Sequence, residues 1–165
     1  MNSAYSKFKN EFYNITFDYP QEWIVNENQY NTVVTIQAKQ AILKESDPNQ
    51  FGFFPNINLM IYSVQNSRNH IQKIMNKTID DLSKYLSKPK IKSKKIVEAN
   101  NDMTMVELIY SGLVNNDITL IFKQYIYFKN NKVYSITCTS EESSYSYVVN
   151  DFNKVKESFR IMNEE

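Results

Sequence analysis

Apolar and polar positions alternate most regularly over residues 118–140, and the rest of the chain is arranged around that stretch. Ile118, Leu120, Phe122, Ile126 and Phe128 fall on one side of an extended backbone, with Gln124 as the polar interruption. Thr119, Ile121, Lys123, Tyr125 and Tyr127 fall on the other. Strand side chains point alternately to opposite faces. The first set therefore predicts a core face, and the second an amphipathic face of aromatic bodies with hydroxyl tips. Asn130 and Asn131 tolerate the positive φ that a two-residue hairpin turn needs. The return strand sets Tyr134, Ile136 and Cys138 on one face, and Val133, Ser135, Thr137 and Thr139 on the other.

The same alternation predicts strands near 13–19, 32–38, 56–64, 91–99 and 103–114. Pro20 ends the first of these, because proline cannot donate to a ladder. Spacing of three and four residues predicts a helix carrying Ile71, Ile74, Met75, Ile79, Leu82, Tyr85 and Leu86, with Asn66 or Ser67 before it and Pro89 barring its continuation. A second helix carries Tyr145, Val148, Val149, Phe152, Val155 and Phe159, with Ser143 or Ser144 as its cap. Residues 1–11 read as a loosely ordered arm and 12–165 as a single domain. The order of elements predicts an α+β fold: a central antiparallel β-sheet with helices packed on it.

Composition narrows the function classes. The chain has 165 residues, a formal net charge of +1 and one cysteine. Such a length buries roughly 70% of the unfolded surface. A near-zero charge gives no field to attract nucleic acid, so no nucleic-acid partner is expected. No apolar run approaches the roughly 20 residues of a membrane-spanning helix. No signal segment is visible at the start, so the literal sequence points to the cytoplasm, whereas removal of a leader would point to the cell envelope or secretion. A single Cys138 excludes an internal disulfide.

Several short motifs resemble the PsbP-like family. Phe17-Asp-Tyr-Pro-Gln-Glu-Trp23 is similar to the family's F-x-Y-P-x-x-W opening. Pro55-Asn-Ile-Asn-Leu59, the long helix after it, Val133-Tyr-Ser-Ile-Thr137 in the hairpin and Ser158-Phe159 at the close of the last helix continue the likeness over about 12–162. The resemblance implies an α/β/α sandwich with a central antiparallel sheet. That fold includes extrinsic photosystem II subunits, a Ran-binding nuclear-transport factor and many bacterial envelope lipoproteins. It brings a fold here and no site residue. Nothing in the chain matches a photosynthetic functional motif.

The reactive residue types are scattered. His70 stands alone at the start of a helix, with no second histidine or cysteine at ligand spacing, so no metal or cofactor is expected. Cys138 reads as an inert core thiol. Asp80-Asp81 and Glu141-Glu142 read as solvated or structural, since helix neighbours do not face one another. The lysine-rich stretch 88–95 reads as a protected edge strand that could instead touch phosphates. No phosphate-binding glycine loop, nucleophile elbow or zinc-protease motif is present.

Two features remain as candidate binding surfaces. Phe51, Phe53 and Phe54 flank Gly52 in an irregular segment and predict an apolar tip or lid. Tyr125 and Tyr127, with Tyr110 and Tyr134, would form an aromatic platform if no helix covers them. The sequence thus points to a non-enzymatic protein-binding or accessory module with an unidentified protein partner. The alternative is a small-molecule or lipid carrier with the 51–55 loop as its lid.

Overall fold

A computed structural model describes residues 4–42, 52–65, 70–99, 103–115 and 118–162. The chain forms β1 (Tyr5–Asn10), β2 (Ile15–Pro20), β3 (Ile24–Glu27), β4 (Val34–Gln37), β5 (Asn56–Ser63), α1 (His70–Tyr85), β6 (Ser87–Ala99), β7 (Met103–Val114), β8 (Ile118–Lys129), β9 (Lys132–Glu141), α2 (Tyr145–Ser158) and β10 (Arg160–Ile161). A single 3-10 turn, Glu142–Ser144, leads into α2.

The larger sheet runs β3-β4-β5-β9-β8-β7-β6, and every pairing in it is antiparallel. A smaller sheet, β1-β2-β10, is also antiparallel. The expected antiparallel sheet with helices packed on it is therefore the observed architecture. The β8–β9 hairpin turns at Asn130 and Asn131, whose φ angles of 50° and 60° are left-handed. Asparagine tolerates that region through its short polar side chain, which is why it fills the turn where glycine is scarce. Asn14, Asn28, Asn31 and Asn115 adopt positive φ at other bends.

The two faces of the larger sheet bury different side chains. On one face, α2 and the smaller sheet close over Ile57, Leu59, Tyr125, Tyr127, Ile136 and Cys138. On the other, α1 closes over Val106, Leu108, Tyr110, Ile126 and Val133 through Ile74, Met75 and Leu82. Gly112 permits the last approach of that layer: a Cβ there would lie 2.7 Å from the Leu86 Cβ. Trp23 is half-buried and meets Phe152 edge-on at 6.5 Å.

The chain departs from expectation at its start and at Pro89. Residues 5–10 are not a loose arm, because β1 pairs with β2 from Tyr5↔Pro20 to Asn10↔Ile15 and buries Phe8. The strand ends at Pro20 as expected, with the proline as its last residue. Pro89 does not simply follow a helix: β6 already begins at Ser87 and absorbs the proline in a register shift between Ser87 and Lys90. A bulge at a sheet edge is where a missing N–H costs least. The proposed caps Asn66 and Ser67 lie outside the described residues. Ser144 precedes α2 without a side-chain cap bond and instead donates to the Glu141 carbonyl at 3.4 Å.

Candidate binding surface

The approach to β5 contains the phenylalanine cluster expected from the sequence. Phe51 lies outside the described residues. Phe53 is half-buried and Phe54 is 43% exposed. Pro55 is buried, and its carbonyl accepts from the Ala38 amide at 2.9 Å, which ties the segment to the end of β4. The Phe54 carbonyl accepts from Asn56 Nδ2 at 3.3 Å.

Along β5 the α1-side positions are Asn56, Asn58, Met60 and Tyr62. The asparagines join a polar ladder. Thr35 Oγ1 donates to Asn58 Oδ1 at 2.6 Å, and Asn58 Nδ2 donates to Asn56 Oδ1 at 3.2 Å. Met60 and Tyr62 are each 44% exposed, although β5 lies inside the sheet. The reason is lateral placement: α1 packs against β6 and β7 and stops short of covering β5. Between α1 and the end of β5 lies a cavity of about 420 Å³ lined by Tyr62, Val64, His70, Ile74, Lys77 and Asp81. Partial burial pushes the Tyr62 hydroxyl up, against the opposing effect of Lys77. Lys77 and Lys84 both bond Asp81, at 2.6 and 2.5 Å, and hold its carboxyl below the usual range.

Tyr125 and Tyr127 are not part of an open platform. Their relative exposures are 0% and 2%, because the face they share is the one α2 covers. The Tyr125 hydroxyl donates to the Phe152 carbonyl at 3.2 Å, and the Tyr127 ring stacks on Phe159 at 4.5 Å. Tyr134 belongs to the same layer. Tyr110 is buried on the opposite face, where its hydroxyl donates to Gln124 Oε1 and Gln124 Nε2 donates to Ser135 Oγ, each at 2.9 Å. Sequence reasoning missed Met60 and Tyr62. Their exposure depends on how far α1 reaches sideways, which periodicity does not encode.

The remaining candidates stay apart. Cys138 is fully buried on the α2 face, and burial pushes its thiol well up. His70 belongs to α1, across the sheet, where it stacks on Phe128 at 5.3 Å. Among the described residues no group of three or more His, Cys, Asp or Glu side chains could hold a metal ion. Glu142 pairs with Lys92. The lysines of 88–95 are carried by β6, an edge strand, as expected. Glu107 and Lys123 are buried charges on the α2 face: Lys156 binds Glu107 at 2.9 Å, and Lys123 donates to Asn153 Oδ1. These bonds satisfy groups that would otherwise be costly to bury. No described helix is long and apolar enough to cross a membrane.

Among the described residues, two antiparallel sheets carry two helices, and that arrangement defines the fold class. The chain belongs to the PsbP-like family, whose sequence profile matches residues 2–161. Among solved structures it is similar to the cyanobacterial PsbP of Synechocystis sp. PCC 6803, with TM-score 0.67 and 13% identity over 98% of this chain and 95% of that one. It is similar to the Ran-binding protein Mog1p of Saccharomyces cerevisiae, with TM-score 0.66 and 9% identity over 97% and 96%. LpqN of Mycobacterium tuberculosis, involved in cell envelope biogenesis, gives TM-score 0.64 and 12% identity over 99% and 87%. Identities this low establish a shared fold. No match is found among curated protein sequences.

Proposed function

We propose that this protein is a non-catalytic binding module that meets a protein partner through the uncovered side of β5. The observation carrying the reading is the exposure of Met60 and Tyr62 on β5, a strand inside the sheet, and of Phe54 on the segment leading into it, at 43–44%. Ile24 on β3, 48% exposed, adds apolar surface on the same side. An apolar rim around the polar asparagine ladder is the composition of a protein interface: aromatic and Met anchors give energy, and fixed amides give register. The separation of Cys138 from His70 supports a role without nucleophilic chemistry. The Ran-binding neighbour shows that this fold can serve protein recognition.

The test is a triple substitution, Phe54→Ser, Met60→Ser and Tyr62→Ser. All three side chains are substantially exposed, so the melting temperature should move by only a few degrees. Photo-crosslinkers placed at Met60 and Tyr62 of the native protein, in cells of its source, should trap one discrete protein species. The triple variant with a crosslinker at Asn58 should lose it. A native chain that traps nothing, or a variant that traps the same species equally well, refutes the reading.

A further inference from the structure

The opposite face of the sheet holds a second opening, at the far end from Phe54. Where α2 ends, a cleft of about 460 Å³ lies over the end of β6, the start of β7 and the end of β8. Its apolar wall includes Met103, Met105, Tyr127 and Phe159. The size falls within the roughly 300–1,000 Å³ of small-molecule sites.

Two polar features distinguish this cleft from a packing defect. The Tyr127 hydroxyl is shielded from solvent and has no hydrogen-bond partner among the described residues. Such an orphan is costly to keep, and it is the kind of buried group that calls for a specific explanation. Burial keeps the phenol protonated, outweighing the nearby Arg160 charge that favours ionisation. It is therefore a donor in need of an acceptor. The second feature is the pair of cations at the edge. Lys156 is committed to Glu107. Arg160 makes no ion pair among the described residues; its Nη1 bonds only the carbonyls of Glu157 and Phe159, at 2.8 and 2.7 Å. The acidic side chains at the rim, Glu98 and Glu157, are exposed, where water screens their charge.

We infer that this cleft binds an apolar carboxylate, with its hydrocarbon against Met103, Met105 and Phe159 and its head group accepting from Tyr127 beside Arg160. The site is distinct from the surface on β5, so each can stand or fall alone.

Decanoate is a suitable probe and decanol its uncharged control. With the methionine methyls of the full chain labelled, decanoate should shift the Met103 and Met105 resonances saturably and leave Met60 unmoved. Decanol should bind at least several-fold more weakly. Tyr127→Phe should weaken decanoate by roughly tenfold, the worth of one hydrogen bond to a charged group. Without ligand the same variant should be as stable as the parent or more so, because it removes an unsatisfied group rather than a bond. Absence of saturable shifts at Met103 and Met105, equal affinity for decanol, or full affinity in Tyr127→Phe overturns the inference.

Discussion

Tyr110 shows how one buried hydroxyl ties stability to pH. Burial pushes it from 10.0 up to about 12. The folded chain therefore holds this proton more tightly than the unfolded one. The resulting stability is complete below about pH 10 and is lost as pH rises towards 12. Tyr125 and Tyr127 are raised by burial as well and act in the same direction. The urea midpoint should hold steady from neutrality to about pH 9 and then fall. Tyr110→Phe should remove part of that alkaline slope. At neutral pH it should cost about 1 kcal/mol through the lost bond to Gln124. Equilibrium unfolding of both proteins across the alkaline range checks the sign and the size.

Among the elements, α2 shows the contrast between a buried and a free helix face. Phe152 is fully buried, and its ring meets Trp23 and Tyr145. Tyr147 is 63% exposed on the same helix. Phe152→Ala should cost about 3–5 kcal/mol by denaturant titration, and Tyr147→Ala less than about 0.5. Helix periodicity made this stripe legible in the sequence. Strand alternation likewise revealed the β8–β9 hairpin, and the two asparagines its turn. The short strands β1, β3 and β10 were not legible: they hold few apolar side chains and take their register from β2 or β4. Nor did alternation tell which face a helix would cover. Tyr125 and Tyr127 have polar tips and would form a platform only if uncovered, and α2 closes on them. Met60 and Tyr62 lie on a strand whose faces the sequence did not assign, and α1 leaves them open.

At the scale of the molecule, the larger sheet ends in β6, a thirteen-residue strand with a free edge. Such an edge is a template for pairing with another sheet unless something opposes it. Lys90, Lys92 and Lys94 are exposed along it, and the register shift at Ile91/Ser93 bends the strand. Both devices discourage edge-to-edge association. Replacing these three lysines with Val should produce concentration-dependent light scattering under conditions where the parent stays clear. A variant that remains monodisperse would show that the bulges alone suffice.

The helices on opposite sides of one sheet give neighbouring residues separate lives. Tyr125 faces one interior and Ile126 the other, although a single peptide bond joins them. A lineage can therefore remodel the lining under one helix, trading ring for aliphatic chain, while its counterpart across the sheet keeps its own packing. Such partition lets one architecture host unrelated molecular errands without being rebuilt for each.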